Sequence, residues 1–586
     1  MNQVLLWDAE DGQWLTFQKP SEIITAYQLD DVLPALRRVE QATTQQNLYA
    51  AGFLAYEAAP AFDAALRTHP PKPDLPLLWF GLYGKPDKSE RLPKPAQEAF
   101  AFGEWQASVS RPDFLDAVEQ IKDHIARGDT YQVNYTFRLR APFRGSAWSF
   151  FCSLERAQQI HFAAYVDTNA HIICSASPEL FFQLDGEQLS SRPMKGTVPR
   201  GCNWAADEAN VTWLQQSQKN RAENVMIVDM IRNDMGRVAT VGSVRVPSLF
   251  DIERYPTVLQ MTSTVESDTQ ASLVEIMQAL FPCASITGAP KVRTMQIIAD
   301  LETEPRGVYT GAVGFITPDQ RVQFNVAIRT VVVDKTSGWA EYGVGSGIVW
   351  DSESEDEYEE CRIKTHVLTQ PPPVFSLLES LLWEPTAGFF LLERHLQRLQ
   401  QAARYFVISL DVDTVERALH DLAATLPSQS HKVRLLASQQ GDITVEAAAI
   451  VPNATKRPLH LGLATEPVQT SDPFLYHKTT HRSVYEQALA SRPDCDDVLL
   501  WNEAGEVTES TRANVVVKIE DEWVTPPVGC GLLAGTYRAE LLAQGVIRER
   551  VIRVEELTEA ESIRLINSVR GWMAVEWVAP AVETPS

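Results

Sequence analysis

The sequence is poor in cysteine and has neither a basic excess nor a long apolar run. Its seven cysteines among 586 residues are scattered, without a Cys-x-x-Cys pair, which predicts reduced thiols and a cytoplasmic protein. The net charge of −24 argues against nucleic-acid binding, because an acidic chain repels phosphate backbones. We expect no membrane partner, since no stretch has the length and apolarity of a bilayer span. The opening residues MNQVLLWDAEDGQW also lack the basic and apolar regions of a signal peptide.

The chain is too long for one hydrophobic core, so more than one domain is expected. The proline run Pro371–Pro373 can continue neither a helix nor a central strand and predicts a linker. We therefore predict a first domain over residues 1–368, with a more variable lobe over 1–100, a linker over 369–374 and a second domain over 375–586. Both halves alternate strand and helix patterns, which predicts an α/β and α+β protein of two domains.

Several elements can be predicted individually from their periodicity. VMIVDMIRNDMG predicts a helix ending at Gly236, and FLLERHLQRLQQAARYF predicts a helix in the second half. HIICSASPELFFQL and RVQFNVAIRTVVVD predict strands, and ANVVVKIEDEWVTPP predicts a hairpin.

Lys195 lies in an unusual setting for a lysine. It follows Met194 and precedes Gly196, with Pro193 and Pro199 stiffening the flanks. A solvated lysine needs no such fixed position, so we interpret Lys195 as a working amine. The alternative is a lysine that only pairs with an acid.

Three carboxylates form a candidate Mg²⁺ site. Glu357 and Glu360 are three residues apart and share one face of a predicted helix, and Glu223 precedes an apolar helix. Converging carboxylates suit a hard cation such as Mg²⁺. The alternative for the first two is a solvated acidic helix start, favoured by the helix dipole.

Anion-binding candidates are also present in the first half. Gly343, Gly345 and Gly347 suggest a turn that exposes backbone N–H groups, although many such turns have no ligand. Lys291 lies in a predicted helix start. Arg329 alternates with apolar residues on a predicted strand, and a buried arginine usually has a carboxylate partner.

Seven blocks, in order, resemble the chorismate-utilising enzymes, which include the anthranilate, aminodeoxychorismate, isochorismate and salicylate synthases. They extend from about residue 128 to 365 and read SASPELFF, RPMKGTVPRG, RAENVMIVDMIRNDMGRV, ASITGAPKVRTMQII, YTGAVGFI, NVAIRT and GVGSGIVWDSESEDEYEEC. The resemblance implies a two-lobed β-sandwich with helices. It implies that Mg²⁺ is held by Glu223, Glu357 and Glu360, that Arg329, Gly345, Gly347, Lys364 and Thr197 contact chorismate, and that Glu179 lines the reacting ring as a catalytic residue.

Lys195 selects among these enzymes. Lysine in this motif is typical of aminodeoxychorismate synthases, in which it attacks the ring and ammonia then displaces it, whereas anthranilate synthases carry alanine. Such a lysine must be uncharged, so its pKa must be lowered. The sequence departs from many relatives at Leu259, where they have histidine.

Four features of the second half resemble fold-type IV pyridoxal-phosphate enzymes. Each alone has an ordinary interpretation: Arg398 as a helix-surface residue, Glu509 as a turn acid, and Gly535-Thr536 as an N-cap. Together with Lys478, the resemblance implies that Lys478 binds the cofactor aldehyde and moves a proton. It further implies that Glu509 contacts the pyridine nitrogen, that Arg398, Thr536 and Ser568 hold the phosphate, that Asn514 supports Glu509, and that Ser380 assists elimination.

The pattern after Lys478 favours a lyase over an aminotransferase, because Ser483 occupies the position of an aminotransferase tyrosine. The two resemblances name consecutive steps and together imply synthesis of 4-aminobenzoate, a folate precursor. No Gly-x-Cys-x-Gly glutaminase pattern occurs, so we expect ammonia from a separate glutamine amidotransferase subunit or from free ammonium. Fold-type IV enzymes are commonly dimers, which suggests a homodimer through the second domain. The alternatives are a fused aminotransferase, or one domain that is only a binding module.

Overall fold

The computed structural model describes residues 2–93, 98–158, 162–369, 373–450 and 457–578. It divides into two compact units, residues 1–199 with 211–372 and residues 200–210 with 373–586. The predicted boundary did not anticipate that the segment 200–210 groups with the second unit. Residues 370–372 of the predicted linker lie outside the described residues.

The first unit consists mainly of strands. They are β1 Gln3–Asp8, β2 Gln13–Phe17, β3 Glu22–Ala26, β4 Tyr49–Leu54, β5 Leu78–Tyr83, β6 Asp87–Ser89, β7 Phe100–Phe102, β8 Gln106–Ala107, β9 Gln132–Gly145, β10 Phe162–Asp167, β11 His171–Ser177, β12 Leu180–Asp185, β13 Gln188–Arg192, β14 Met194–Pro199, β15 Arg245–Arg254, β16 Val258–Asp268, β17 Gly288–Ala289, β18 Ala312–Ile316, β19 Val322–Val326, β20 Thr330–Asp334 and β21 Trp339–Ile348. The helices up to residue 369 are α1 Leu29–Gln46, α2 Ala59–Phe62, α3 Arg111–Ala126, α4 Ala147–Gln158, α5 Trp204–Gln216, α6 Gln218–Gly236, α7 Leu273–Leu280, α8 Lys291–Leu301 and α9 Ser354–Thr369.

These strands form two sheets, in the orders β17-β9-β21-β20-β11-β10-β1-β2-β6 and β14-β16-β13-β12-β19-β18-β4-β5-β3. One apolar cluster joins Val4 and Phe17 of the first sheet to Phe53 and Trp79 of the second, as expected for a sandwich whose inner faces interdigitate. Helix α6 begins after Ser217, whose side chain accepts a hydrogen bond from the N–H of Asn220.

The second unit contains β22 Ser376–Glu384, β23 Gly388–Phe389, β24 His431–Ser438, β25 Ile443–Ala449, β26 Leu459–Leu463, β27 Asp497–Trp501, β28 Val507–Ser510, β29 Asn514–Ile519, β30 Glu522–Thr525, β31 Arg548–Glu549, β32 Ser562–Asn567 and β33 Gly571–Trp577. Its helices are α10 Leu392–Tyr405, α11 Val412–Ala423, α12 Ser483–Ala490 and α13 Thr536–Ala543. The strands form a sheet β23-β22-β24-β25 and a larger mixed sheet β28-β27-β26-β33-β32-β29-β30-β31. Leu396 and Leu399 of α10 pack in one cluster with Val433 and Leu435 of β24, so the apolar stripe of the helix covers that strand.

The predicted helix ending at Gly236 is α6, the second predicted helix is α10, and the predicted hairpin is β29–β30. Two local predictions were wrong. The three glycines from Gly343 to Gly347 lie inside β21 rather than in a turn. Arg329 is not in a strand: it lies between β19 and β20 with φ of 49°. None of the helices in the described part of the chain has the length and apolarity of a membrane span.

Candidate active sites

A cavity of about 600 Å³ in the first unit collects every residue that the sequence assigned to chorismate and Mg²⁺. Strand β14 supplies Lys195, β21 supplies two glycines, α6 and α9 supply three glutamates, and the link between β11 and β12 supplies Glu179. The residues are Glu179, Lys195, Thr197, Glu223, Arg329, Gly345, Gly347, Glu357, Glu360 and Lys364.

Lys195 points into this cavity rather than into bulk water. A Cβ atom added to Gly347 would lie 2.7 Å from its Nζ atom, so the glycine gives the amine its space. Burial lowers the pKa of Lys195, and Glu223 and Glu179 only partly oppose this effect. Burial therefore increases the uncharged fraction of this amine relative to an exposed lysine at the same pH.

Glu179 is 3% exposed, and burial raises its pKa to about 7. Its Oε1 atom has no hydrogen-bond partner among the described residues. A carboxyl group that is partly protonated near neutral pH can donate a proton to a leaving group.

The three predicted metal ligands share the cavity but are not assembled into a cage. Among the described residues, no group of three or more His, Cys, Asp and Glu side chains is arranged to hold a metal ion. Glu360 pairs with Lys364 at 2.6 Å, and Glu357 accepts a hydrogen bond from Ser346. Burial raises the pKa of Glu223, and the charges of Glu357 and Glu360 add to this increase. The donor set fits Mg²⁺, which is usually bound by one or two carboxylates together with water and substrate oxygens.

Arg329 lacks the carboxylate partner that the sequence led us to expect. Its guanidinium donates to Gln158 and lies 6.0 Å from the centre of the Tyr255 ring, and no carboxylate of the described residues pairs with it. Burial lowers its pKa. This cation is therefore available to a substrate carboxylate.

One further sequence interpretation, the anion site at Lys291, needs correction, and packing accounts for the leucine at position 259. Leu259 is fully buried with Leu214 and Met261, and the neighbouring side chain at the cavity is Gln260, which accepts a hydrogen bond from Thr197 at 2.9 Å. Lys291 is not an anion site, because its amine pairs with Asp234 at 2.7 Å.

Gln132, which is 1% exposed, belongs to none of the sequence motifs. Neither polar atom of its side-chain amide has a hydrogen-bond partner among the described residues. A Cβ atom at Gly347 would lie 2.8 Å from Gln132 Nε2, so this amide and the Lys195 amine flank the same point. No local sequence pattern indicates this position, because Gln132 approaches Gly347 only through the pairing of two strands that are distant in sequence. In that pairing, Gly347 of β21 lies opposite Asn134 of β9.

A second cavity, of about 630 Å³, lies in the second unit. It collects all residues that the sequence assigned to pyridoxal phosphate and elimination, namely Ser380, Arg398, Lys478, Glu509, Asn514, Thr536 and Ser568.

Lys478 and Glu509 have the environment expected of reactive groups. Burial, and then the charge of Arg398, lower the pKa of Lys478 to about 8. Burial raises the pKa of Glu509 to about 7. Glu509 accepts hydrogen bonds from the Tyr485 hydroxyl at 2.9 Å, the Asn514 amide at 3.1 Å and the backbone N–H of Leu533 at 3.1 Å. Tyr485 was missed because it lies seven positions after Lys478, outside the expected spacing.

Arg398 is held by a buried carboxylate that the sequence did not single out. Its Nε and Nη2 atoms donate to Glu379 at 2.9 and 2.6 Å, and Nη1 donates to the backbone oxygen of Ala534 at 3.2 Å. One N–H remains on each terminal nitrogen, enough to hold an anion. Burial alone would raise the pKa of Glu379, but Arg398 and His395 lower it to about 2.

The start of α13 completes this anion cradle. Thr536 contacts His395 Nε2 at 3.2 Å, and a Cβ atom at Gly535 would lie 1.9 Å from Asn514 Oδ1. The donor set of Lys478, Arg398, Thr536 and Glu509 fits an aldehyde, a phosphate and a pyridine nitrogen, which are the functional groups of pyridoxal phosphate.

A family model described as chorismate binding enzyme matches residues 1–370. The chain belongs to the chorismate binding enzymes. A second model, amino-transferase class IV, matches residues 376–578. The two matches confirm the predicted combination of families and the two-part fold class.

Curated relatives match the first half. The chain is 40% identical over 269 residues to aminodeoxychorismate synthase component 1 of Salmonella typhimurium, covering 46% of this chain and 59% of that protein. It is 40% identical over 260 residues to the protein of the same name from Bacillus subtilis, covering 44% and 55%. The chain thus spans less than two thirds of the length of each relative. A crystal structure of anthranilate synthase component I from Streptococcus pneumoniae has a TM-score of 0.53 at 22% identity, covering 63% of this chain and 92% of that one, which supports the fold of the first unit.

Proposed function

We propose that this chorismate binding enzyme is bifunctional and converts chorismate to 4-aminobenzoate through 4-amino-4-deoxychorismate. The observation that carries the proposal is Lys195, an amine with a lowered pKa in the cavity that also contains Arg329 and the four glutamates Glu179, Glu223, Glu357 and Glu360. We assign the first reaction to residues 1–368 and the second to residues 375–586, with 369–374 as the linker.

In the first reaction, Arg329 binds a substrate carboxylate and the uncharged Lys195 attacks C2 of the ring. The new C–N bond shifts the ring double bonds and expels the C4 hydroxyl, which leaves as water with a proton from Glu179. Ammonia then adds at C4, the double bonds shift back, and the C2–N bond to Lys195 breaks. The net change is loss of water and gain of ammonia.

Glu223, Glu357 and Glu360 would hold Mg²⁺ together with the ring carboxylate of chorismate. Bound Mg²⁺ would neutralise and orient that carboxylate. The backbone of Gly345 and Gly347 leaves room for the substrate, Lys364 keeps Glu360 charged by pairing with it, and Thr197 lines the ring.

In the second reaction, Lys478 holds the cofactor and moves the proton at the amine-bearing carbon. Bound pyridoxal phosphate would supply an electron sink for the elimination of pyruvate. Glu509, fixed by Asn514 and Tyr485, would contact the pyridine nitrogen. Arg398, Thr536 and Ser568 would hold the phosphate, and the Ser380 hydroxyl would assist the elimination.

Ammonia would come from a separate glutamine amidotransferase subunit. Two observations support this partner: the relatives are named component 1, and Cys530, which lies in a glycine-rich turn of the second unit, does not fit a glutaminase nucleophile pattern.

Product analysis of three proteins tests the proposal. With chorismate, Mg²⁺, pyridoxal phosphate and ammonium, the unmodified protein should release 4-aminobenzoate and pyruvate. Lys478→Ala should accumulate 4-amino-4-deoxychorismate, and Lys195→Ala should make neither product. Release of anthranilate or salicylate would contradict the first assignment, and amino-group exchange with added 2-oxo acids would contradict the second.

A further inference from the structure

The cavity of the second unit is bordered by three exposed cations that the proposed chemistry has not used. Lys432, Arg512 and Arg570 all line this cavity and are exposed. None of the three forms an ion pair with a carboxylate of the described residues. We refer to Lys432, Arg512 and Arg570 as the cationic rim.

The rim residues come from separate elements, and their backbones are fixed. Lys432 lies in β24 opposite Leu382 of β22. The N–H of Arg512, in the turn between β28 and β29, donates to Ser510 Oγ at 3.3 Å. The N–H of Arg570, in the turn between β32 and β33, donates to Asn567 Oδ1 at 2.8 Å. Three different segments thus direct positive charge towards one cavity.

The acids of the cavity do not neutralise the rim. Asp496 pairs with Arg457 at 2.9 Å, and Asp497 accepts hydrogen bonds from the N–H and hydroxyl of Thr511. Partial burial lowers the pKa of Lys432, and the charges of Arg570, Arg434 and Arg512 lower it further. Like charges held together cost free energy, and here they are held together in a chain of net charge −24.

We propose that the cationic rim binds the carboxylates of a cyclic dianionic amine and thereby determines the substrate specificity of the second unit. The inference rests on the proposed function, because 4-amino-4-deoxychorismate is such a substrate. Its amine and its ring carboxylate stand at opposite ends of a six-membered ring, so an amine beside Lys478 leaves the carboxylates towards the opening. In an α-amino acid, the carboxylate is attached to the amine-bearing carbon itself, so it cannot reach the cationic rim when the amine lies beside Lys478.

Kinetics of the second reaction test the rim directly. We expect Arg512→Ala, Arg570→Ala and Lys432→Ala each to raise KM for 4-amino-4-deoxychorismate by about tenfold, the lower end for a charged hydrogen bond because the rim is exposed. The kcat value should change less than about twofold, since the rim does not contact the reacting carbon, and Arg512→Lys should recover part of the loss. Arg434→Ala is the matched control: it removes a nearby charge from β24 but does not line the cavity, so its KM should stay near the original value.

Binding of an unreactive probe separates failure of this inference from failure of the proposed function. Titration of the holoenzyme with isophthalate, a ring with two carboxylates, should perturb the absorbance of bound pyridoxal phosphate at lower concentration than benzoate does. The rim variants should lose this preference. If the rim variants of an active lyase keep the preference for isophthalate over benzoate, the proposal that the cationic rim binds carboxylates is wrong. If the holoenzyme binds isophthalate tightly but releases no pyruvate, the lyase assignment is wrong and the rim is still a binding site for dianions.

Discussion

At the scale of single residues, the first cavity combines two groups whose pKa values are shifted towards each other. Burial lowers the pKa of Lys195 and raises the pKa of Glu179 to about 7. The reaction needs the unprotonated lysine and the protonated glutamic acid at the same time. Opposite shifts increase the fraction of molecules in that state near neutral pH.

The pH dependence of the first reaction should therefore have two limbs. Activity rises with pH as Lys195 loses its proton, and falls above pH about 7 as Glu179 loses its own. Glu179→Gln should lower kcat by about 10²- to 10⁴-fold and abolish the falling limb, whereas Glu179→Asp should keep it. The profile is measured at a constant concentration of unprotonated ammonia. A falling limb that persists in Glu179→Gln would assign the acid to another group.

We expect the buried Gln132 side chain to lower the stability of the protein while it supports the first reaction. Its buried amide lacks partners among the described residues, and an unsatisfied buried polar group costs about 1–3 kcal/mol. Gln132→Leu should therefore raise the melting temperature while lowering the rate of the first reaction by about tenfold, the loss of one hydrogen bond of about 1.4 kcal/mol.

The Gln132→Glu variant tests how a charge at this position affects the Lys195 amine. A negative charge beside Lys195 should raise the pKa of the amine and move the rising limb of the profile to higher pH. The second reaction is an internal control and should be unchanged in both variants. A Gln132→Leu protein that is less stable and fully active would show that the amide serves only the fold.

At the scale of elements, β21 shows that alternate glycines of one strand can have different tasks. At Gly345, an added Cβ atom would lie 2.3 Å from the backbone oxygen of Tyr135 on β9. At Gly347, its three nearest neighbours would be atoms at the ends of the Lys195 and Gln132 side chains. The first glycine permits strand contact, and the second leaves space at the amine.

The pair Gly345→Ala and Gly347→Ala should separate these tasks. Gly345→Ala must displace backbone and should destabilise the protein by about 1–3 kcal/mol, the usual cost of overpacking. Gly347→Ala should fold with a nearly unchanged melting temperature, because flexible side chains can move, but lose most of the first activity. Thermal unfolding and product formation measure the two effects. Equal loss of stability in both variants would contradict the distinction.

Local sequence patterns predicted the elements better than the directions of individual side chains. Helices α6 and α10 and the β29–β30 hairpin carry their own periodicity, so they could be predicted from short windows. The glycines of β21 appeared to form a turn because their strand character depends on pairing with β9. Leu259 packs in an apolar cluster and the next residue, Gln260, lines the cavity, because a strand alternates its faces at every residue. Which of the two faces meets the cavity is set by distant chain segments.

At the scale of the whole molecule, the residues of both cavities could be predicted from the order of the motifs, because each motif contains the reactive residues of its site. The buried residues that hold these reactive residues in place could not be predicted. Gln132, Glu379 and Tyr485 have no motif of their own, and they become meaningful only when folding brings them to Gly347, Arg398 and Glu509.

The separation of the two sites into two compact units predicts that each reaction survives loss of the other. A mixture of Lys195→Ala and Lys478→Ala proteins should therefore form 4-aminobenzoate from chorismate and ammonium, although neither protein does so alone. The released 4-amino-4-deoxychorismate must diffuse between molecules, so the mixture should show a lag that shortens as the Lys195→Ala protein is increased. The Lys195→Ala protein supplied directly with 4-amino-4-deoxychorismate should also form 4-aminobenzoate, which controls for its second site. Failure of that direct conversion would mean that Lys195 is needed for the second reaction as well, contrary to the independence of the two sites.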